Sequence, residues 1–324
     1  MIKMQLGKSG LEASALAMGS DVLGSKIDRA TTFTLLDFYF DHGGTLIDTA
    51  NFYASWLPGC KGGESESVIG EWMKERGNRN QLLISSKLAF DYPDSAGGLS
   101  RGEIERECEK SLKRLQTDHL DIYYAHRDDF ETPQEETMSA FDRLVKAGKV
   151  RVLGASNLSI WRIAQANSIA KANHWSEFQV IQQRYTYVRP RHGADFGPQI
   201  FLSEDVKAFA KQHGITLVAY SVLLQGAYTR PDRTLPAQFA GVDSDERMRA
   251  LKEVAGELGV SPNQVVIAWL RQSDPSVLPI IAGSRTEQLR ENIDALALTL
   301  SGEQMKKLNT AGNPVILEAW LQPT

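Results

Sequence analysis

Short apolar stretches alternate along this chain with longer stretches of helical periodicity. The short stretches are candidate β-strands, and there are eight of them. Because strands that alternate with helices form parallel βαβ units, this alternation constrains the fold more than any other feature of the sequence. The candidate strands are residues 15–20, 45–50, 82–87, 120–125, 150–156, 178–185, 215–221 and 277–283.

Helical periodicity is found between these strands. In residues 101–116, for example, Ile104, Cys108 and Leu112 fall near one face, and charged residues occupy the other. Eight βα units in 324 residues predict a closed (β/α)8 TIM barrel, since an open doubly wound sheet usually has fewer strands. The predicted helices include residues 64–76, 101–116, 133–148, 160–173, 204–214 and 286–298.

The two ends of the chain extend the predicted barrel. Residues 4–13 predict a small β-hairpin, with its turn around residues 7–10, ahead of the first barrel strand. Helices are expected after the last strand. Because no linker, repeat or low-complexity tract interrupts the series, residues 1–324 are predicted to form a single domain.

The composition excludes several classes of partner and location. With 36 basic and 40 acidic residues, the net charge of -4 creates no field that attracts nucleic acid or an anionic membrane. Cys60 and Cys108 are too few for a disulfide framework or a cysteine-based metal site, so free thiols and no bound metal are expected. The start of the chain lacks the apolar core of a signal peptide, and no apolar run approaches the roughly 18–20 residues that span a bilayer. We therefore expect a cytoplasmic protein that binds neither nucleic acid nor a membrane.

Motifs that bind phosphate were considered next. The G-x-G-x-x-G fingerprint of a dinucleotide-binding domain is absent, and a P-loop ending at Ser9 fails because Ile2 stands where a glycine is required. At the end of the eighth candidate strand, Gly283 and Arg285 lie directly before a helix, where barrels often bind phosphate. On these residues alone, an ordinary strand-to-helix turn with a solvated arginine is an equally good interpretation.

Titratable side chains follow three successive candidate strands. Asp48 lies in the second strand and Tyr53 shortly after it, Lys87 ends the third strand and His126 follows the fourth. In a barrel, the carboxyl ends of the strands form the mouth where chemistry takes place. Each residue also has a structural interpretation: Asp48 could cap a helix, Lys87 could satisfy a buried carboxylate, and His126 could be a core histidine. Their joint occurrence on three neighbouring strand ends favours a catalytic site.

The chemistry of these four residues is complementary. A tyrosine with an ordinary pKa near 10 is a poor acid or base at neutral pH, and a nearby lysine is expected to lower that pKa. An aspartate paired with the lysine would keep the lysine charged, and an imidazole could donate a hydrogen bond to a carbonyl oxygen. Such a set could protonate an oxygen on which negative charge develops, as in carbonyl reduction.

At these residues the chain resembles the aldo-keto reductases, and the resemblance covers nearly its whole length. Residues 6–11 resemble the N-terminal hairpin of the family, and residues 44–53 resemble its signature around the catalytic aspartate and tyrosine. Residues 83–87 resemble the strand with the lysine, and residues 120–126 the strand with the histidine. Residues 132–157 then follow the family pattern at the expected place.

The resemblance implies a (β/α)8 barrel that uses NADPH without a separate dinucleotide-binding domain. It implies that Tyr53 is the general acid, that Lys87 and Asp48 tune it, and that His126 orients the substrate carbonyl. For the cofactor it implies three groups of residues. Ser156, Asn157 and Gln182 would bond the nicotinamide carboxamide; Tyr220, with Ser221 and Leu223, would meet the nicotinamide ring and pyrophosphate; and Gly283, Ser284, Arg285, Gln288, Glu291 and Asn292 would hold the adenosine 2′-phosphate and adenine.

The chain departs from the family pattern in the loops. Val222 replaces a frequent proline, the region around Arg230 replaces a frequent lysine, and Ala54 replaces a frequent glycine after Tyr53. In the extended loop that follows, Trp56 is either a wall of the substrate pocket or a hydrophobic anchor for the loop. Residues 185–192 either border the site or provide a solvated basic rim.

The function expected from these features is NADPH-dependent reduction of an aldehyde or ketone, with sugar and cyclic ketones among the candidate substrates, by a reversible alcohol dehydrogenase. An alternative is a nicotinamide-binding regulatory subunit with vestigial activity, as in the potassium-channel β-subunits that share the implied fold. A barrel lyase or hydrolase without a nicotinamide cofactor is a second alternative. The sequence does not indicate an oligomeric state.

Overall fold

In a computed structural model that describes residues 1–313, eight parallel strands form a closed barrel, as the sequence predicts. Barrel strands that are neighbours in the chain are neighbours in the sheet, and the last strand pairs with the first, which closes the barrel. Each strand lies within or within one residue of its predicted range. The strands are β3 (Ala17–Gly19), β4 (Leu46–Asp48), β5 (Leu83–Leu88), β6 (Leu120–Ala125), β7 (Val150–Ser156), β8 (Phe178–Arg184), β9 (Thr216–Tyr220) and β10 (Val277–Ile281).

Helices connect the strands and surround the barrel. The predicted helix at residues 64–76 has the same bounds in the structure, and the other predicted helices differ by a few residues at their ends. The helices are α1 (Arg29–Asp41), α2 (Glu64–Arg76), α3 (Arg101–Leu115), α4 (Gln134–Lys146), α5 (Ile160–Ala172), α6 (Glu204–His213), α7 (Val242–Leu258), α8 (Pro262–Gln272), α9 (Thr286–Asp294) and α10 (Gly302–Thr310).

Local sequence signals explain where several helices begin. The side chain of Ser100 accepts a hydrogen bond from the backbone N–H of Glu103 and caps α3, and Ser261 caps α8 in a reciprocal arrangement with Gln264. On α3, the apolar face predicted around Ile104 and Cys108 is buried. Both cysteines of the chain, Cys60 and Cys108, are free thiols, as expected.

The predicted hairpin consists of β1 (Lys3–Gln5) and β2 (Glu12–Ser14), which pair in antiparallel fashion. Leu6 and Ala13 of this hairpin pack against the apolar side chains that fill the barrel interior at the amino-terminal ends of the strands. These interior side chains include Ala17, Leu46 and Leu278 and come from all eight barrel strands. The hairpin therefore closes the amino-terminal end of the barrel, and the polar interior positions lie towards the carboxyl ends of the strands.

The register of the sheet brings the polar strand ends together. Gly19 lies opposite Asp48, Asp48 lies opposite Ser85, and Lys87 lies opposite Tyr124.

Within residues 1–313, no helix is long and apolar enough to cross a membrane. The predicted domain 1–324 also includes residues 314–324, which lie outside the described residues.

Candidate active site

Asp48, Lys87 and Tyr53 are in direct contact at the carboxyl end of the barrel. The Nζ atom of Lys87 donates to Asp48 Oδ2 at 2.6 Å, to the Tyr53 hydroxyl at 2.9 Å and to the backbone oxygen of Thr49 at 2.8 Å. Asp48 Oδ1 accepts from Ser85 Oγ at 2.7 Å and from Gln182 Nε2 at 2.9 Å. Lys87 is completely buried, and Asp48 is 3% exposed. The lysine is thus held by three oxygen acceptors, one of which is the tyrosine hydroxyl.

The loop after β4 positions Tyr53. The backbone N–H groups of Thr49 and Asn51 donate to the carbonyls of Ser85 and Lys87 on β5, at 3.0 and 3.1 Å. The side chain of Asn51 also donates to Glu107 at 2.7 Å, which ties the loop to α3. At Ala54 the backbone has a φ of 72°, so the position of the frequent family glycine retains a left-handed conformation here.

Burial raises the pKa of Tyr53 well above 10, and the negative charges of Asp48 and Asp21 add to this effect. The sequence predicts that the nearby lysine lowers this pKa, and that prediction is wrong. The pKa is raised because desolvation of the phenolate outweighs the attraction of Lys87. Burial also lowers the pKa of Lys87, and its ion pair with Asp48 opposes that shift. Tyr53 consequently carries its proton at neutral pH, as a general acid must.

His126 follows β6 and lies beside Tyr53, with their ring centroids 6.0 Å apart. Burial is the main cause that lowers the pKa of His126 well below 6.5, and the positive charge of Lys87 is a smaller cause. The imidazole is therefore neutral at pH 7 and can donate one hydrogen bond. Its Nδ1 atom is buried and has no hydrogen-bond partner among residues 1–313.

Three aromatic side chains line one side of this mouth. Phe52 stacks on Phe90 with a centroid distance of 4.7 Å, and both rings meet the edge or face of His126 at 5.2 and 5.0 Å. Trp56 lies 5.4 Å from Phe52 and 6.2 Å from Tyr53, and 51% of it is exposed. Its half-exposed position beside Tyr53 suits a pocket wall better than a buried loop anchor.

The residues expected to hold the nicotinamide amide lie at the ends of two neighbouring strands, β7 and β8. The Oδ1 atom of Asn157 accepts from the Tyr220 hydroxyl at 2.7 Å, and its Nδ2 atom donates to the carbonyl of His126 at 2.9 Å. Asn157 Nδ2 also lies 3.2 Å from Ser156 Oγ, and Gln182 donates to Asp48. The amide groups of Asn157 and Gln182 thus already support Tyr220 and Asp48, and a bound carboxamide would have to share or exchange these hydrogen bonds.

The loop after β9 has an unusual backbone. Ser221, Leu224 and Gln225 all have positive φ angles, of 57°, 46° and 55°, and Leu223 lies between them. The Val222 carbonyl accepts a hydrogen bond from Thr186 at 2.6 Å, so the loop is tied to the segment after β8. Arg230, at the place of the frequent lysine, forms an ion pair with Asp232.

Residues 185–192 divide between core and surface. Tyr185 to Val188 are buried, whereas Arg191 and His192 are exposed, so the apolar half belongs to the packed wall and the basic half to the rim.

A second polar rim follows β10, which neighbours β9 in the barrel. Gln288 Oε1 accepts from the backbone N–H groups of Ser284 and Arg285 at 2.8 and 3.2 Å, and α9 begins directly afterwards. A Cβ atom on Gly283 would lie 3.2 Å from the Cβ of Gln288, which is tight. The Glu291 carboxylate is occupied by Ser261 at 2.5 Å, and Asn292 is buried.

Arg285 is the residue of this rim that could hold a phosphate. Arg285 is exposed at the amino terminus of α9, and within residues 1–313 no carboxylate lies within 4 Å of it. A helix amino terminus and an arginine without an acidic partner both favour a bound phosphate. The rim after β10 could therefore hold a phosphate. The Tyr220 hydroxyl, on the neighbouring strand β9, donates to Asn157.

Comparison with known proteins decides the family. The model of the aldo/keto reductase family matches residues 15–313. The chain belongs to the aldo/keto reductase family. It is 31% identical over 323 residues to norsolorinic acid reductase of Aspergillus flavus, a match that covers 94% of this chain and 79% of that protein. It is 30% identical to aryl-alcohol dehydrogenase [NADP(+)] of Phanerodontia chrysosporium, with 93% and 83% of the two chains covered.

A solved structure agrees with this assignment to the aldo/keto reductases. The crystal structure of a thermostable aldo-keto reductase in complex with the inhibitor epalrestat superposes with a TM-score of 0.76 at 30% identity. The match covers 96% of this chain and all of that one. The chain is therefore an oxidoreductase of a family that acts on carbonyl and alcohol groups.

Several residues of this aldo/keto reductase site were not predicted from the sequence. Ser85 donates a hydrogen bond to Asp48, and Asn51 ties the loop before Tyr53 to Glu107. Phe52 and Phe90 pack against His126. The fifth residue is Asp21, whose negative charge contributes to the raised pKa of Tyr53. Strand alternation could have indicated Ser85, two residues before Lys87, and Asn51 and Phe52 lie within the signature at residues 44–53, but Phe90 and Asp21 belong to no motif.

Proposed function

We propose that this aldo/keto reductase is an NADPH-dependent carbonyl reductase, with a tyrosine general acid, that acts on an aldehyde or ketone and also runs in reverse as an alcohol dehydrogenase. The contact between the Lys87 ammonium and the Tyr53 hydroxyl, at 2.9 Å, carries the proposal. It places a protonated phenol beside a buried cation that can stabilise the phenolate once the proton has left.

The proton transfer follows from the site geometry. A substrate carbonyl at the mouth would accept a hydrogen bond from Tyr53 and from neutral His126. As negative charge develops on that oxygen, Tyr53 gives up its proton, and the charge left on the phenolate is balanced by Lys87. The ion pair of Asp48 with Lys87 keeps the lysine charged in spite of its burial. Phe52, Phe90 and Trp56 reduce the access of water to the reacting oxygen.

The cofactor proposal rests on the residues at β7 to β10. When bound, a reduced nicotinamide supplies the hydride that reaches the carbonyl carbon. Tyr220 would lie against the nicotinamide ring, with Ser156, Asn157 and Gln182 at its amide, and Ser221 and Leu223 would lie near the pyrophosphate. Gly283, Ser284, Arg285, Gln288, Glu291 and Asn292 would hold the adenosine end. The name of one relative includes NADP(+), which favours a 2′-phosphate at Arg285.

The test is Tyr53→Phe in a panel of aldehydes and ketones, with NADPH oxidation followed by absorbance. We expect kcat to fall about 10²- to 10⁴-fold, because the general acid is lost. Binding of NADPH, measured by fluorescence, should change by less than about 3-fold, since no proton is transferred on binding. Tyr123→Phe is the matched control, because the buried Tyr123 hydroxyl has no hydrogen-bond partner among residues 1–313.

Two outcomes would overturn the proposal. If Tyr53→Phe oxidised NADPH as fast as the wild type, Tyr53 would not be the acid. If the wild type bound NADPH but reduced no carbonyl compound in the panel, the protein would instead fit a cofactor-binding regulatory subunit.

A further inference from the structure

Arg184 is the last residue of β8, and the proposed chemistry does not use it. Along this strand Val180 packs inside the barrel, and the side chain of Gln182 donates to Asp48, so alternate residues face the interior. By this alternation the side chain of Arg184 also leaves the strand on the interior side, one step above Gln182. In the sheet Arg184 lies opposite Tyr220, the last residue of β9. It therefore belongs to the mouth of the barrel.

The loop after β9, residues 221–226, lies against this strand end. The backbone N–H of Tyr185 donates to the last carbonyl of β9 at 3.2 Å, and the hydroxyl of Thr186 donates to the carbonyl of Val222 at 2.6 Å. The proposed function places the cofactor pyrophosphate near this loop. Arg184 directly precedes the two residues that tie the loop to β8, so its side chain leaves the strand beside the loop.

The positive charge of Arg184 is not balanced within residues 1–313. Its Nη1 atom donates to Gln199 Oε1 at 2.6 Å, and its guanidinium carbon lies 5.0 Å from the ring centroid of Phe196. Its Nε atom is buried and has no hydrogen-bond partner among those residues. Burial lowers the pKa of Arg184, and no carboxylate opposes that shift. Because a buried charge is costly unless it is paired, a bound anion would be strongly favoured here.

The loop itself supplies no positive charge to a pyrophosphate. Residues 221–226 are neutral, and the two arginines that follow the loop are exposed. Arg230, at the place of the frequent family lysine, is paired with Asp232. Arg233 donates to Gln225 at 3.2 Å. A guanidinium group matches the oxygens of a phosphate, so the unbalanced arginine at the end of β8 is the cation best placed to bind one.

We propose that Arg184 binds the pyrophosphate of the cofactor and supplies the positive charge that the loop after β9 lacks. This inference rests on the proposed use of NADPH. Gln199 holds one nitrogen of the guanidinium group and fixes its orientation, and the remaining donors are left for phosphate oxygens. Arg285 would then bind the 2′-phosphate and Arg184 the pyrophosphate, so that each anionic group of the cofactor has its own arginine.

The experiment compares NADPH with adenosine 2′-monophosphate, which has the adenosine and its 2′-phosphate but no pyrophosphate. Arg184→Met keeps the length of the side chain without its charge. We expect it to raise the Kd of NADPH about 10- to 100-fold, as for the loss of a charge-assisted hydrogen bond. The Kd of adenosine 2′-monophosphate should stay within about 2-fold of the wild type, since this ligand has no group for Arg184 to bind. Fluorescence titration measures the first value and calorimetry the second.

Arg249→Met, at an exposed arginine on α7, is the matched control and should bind both ligands like the wild type. Unchanged binding of adenosine 2′-monophosphate by Arg184→Met would also show that the variant is folded. Unchanged NADPH binding by Arg184→Met would overturn the inference, and a loss in Arg230→Met alone would assign the pyrophosphate to Arg230.

Two further outcomes separate the possible failures. If NADPH binding were unchanged in Arg184→Met but KM rose for 4-carboxybenzaldehyde and not for benzaldehyde, Arg184 would bind a substrate carboxylate and the inference would be wrong. Equal weakening of NADPH and adenosine 2′-monophosphate would also contradict it, because the change would not be specific to the pyrophosphate. A wild type that binds no NADPH would overturn the proposed function itself.

Discussion

The ammonium of Lys87 lies 2.9 Å from the Tyr53 hydroxyl and 4.7 Å from the centroid of the Tyr53 ring. The lysine is completely buried, and its other two acceptors are Asp48 and the carbonyl of Thr49. A buried cation in contact with a phenol has little effect on the phenol while it is protonated. It becomes strongly favourable when the phenol loses its proton, which is when the proposed proton transfer needs it.

The first prediction concerns that cation. Lys87→Met keeps the length of the side chain but removes the charge, so the phenolate of Tyr53 loses its stabilising partner. We expect kcat for carbonyl reduction to fall about 10²- to 10⁴-fold, similar to the loss of the general acid itself. The rate is measured by NADPH absorbance, and Lys171→Met, an exposed lysine on α5, is the control. Activity within about 10-fold of the wild type would show that Tyr53 does not depend on Lys87.

A second prediction concerns the pH dependence of stability at His126. Its pKa in the folded protein is well below 6.5, so below pH 6.5 the unfolded chain takes up a proton that the folded chain does not. The unfolded state then binds more protons, and the free energy of unfolding falls as the pH is lowered. This residue contributes a slope of about 1.4 kcal/mol per pH unit between the two pKa values.

His126→Asn should remove that slope. Urea unfolding of the wild type and the variant at pH 7.0, 6.0 and 5.0 measures the difference, so that groups common to both proteins cancel. As the pH falls, we expect the free energy of unfolding to decrease more in the wild type than in the variant. Parallel curves for the wild type and the variant would mean that His126 titrates equally in the folded and unfolded chains. His174→Asn, at an exposed histidine, is the control for the substitution itself.

The third prediction tests how the Tyr53 loop is anchored. Asn51→Ala removes the 2.7 Å hydrogen bond to Glu107, which is completely buried, and leaves that carboxylate less satisfied. We expect the free energy of unfolding to fall by about 1–3 kcal/mol, as for a buried acceptor that loses a partner. Because the same loop positions Tyr53, kcat should fall as well, more than KM changes. Asn173→Ala, an exposed asparagine at the end of α5, is the control, and an unchanged stability in Asn51→Ala would contradict the anchoring role.

The alternation of the sequence was sufficient to predict the fold, because each barrel strand is a short buried run and each helix has an apolar face. The bounds of α2 match their predicted range, and α3 buries the face that contains Ile104 and Cys108. Motifs on successive strand ends also identified Asp48, Lys87 and Tyr53 as neighbours. These features depend on local pattern and on strand order, which a sequence contains directly.

Other properties of the site depend on the three-dimensional surroundings. The direction of the Tyr53 pKa shift is set by desolvation, which is known only once the burial of Lys87 and Tyr53 is known. The hydrogen bonds of Asn157 to Tyr220 and of Gln182 to Asp48 connect residues that are 63 and 134 positions apart. Asp21 is a lone aspartate in the turn after a short strand, and only the folded structure shows that its charge acts on the pKa of Tyr53.

The fourth prediction concerns the choice between NADPH and NADH. Arg285 is exposed at the start of α9 and has no carboxylate within 4 Å among the described residues, so its guanidinium is available to a phosphate. The two cofactors differ only in the 2′-phosphate, so Arg285→Ala should raise the Kd of NADPH about 10- to 100-fold, as for the loss of a charge-assisted hydrogen bond. The Kd of NADH should change by less than about 2-fold, since NADH has no group for the arginine to bind. Fluorescence titration without substrate measures both values, and Arg290→Ala on the same helix is the control. Equal binding of the two cofactors by the wild type, unaffected by Arg285→Ala, would place the 2′-phosphate elsewhere or remove the preference for NADPH.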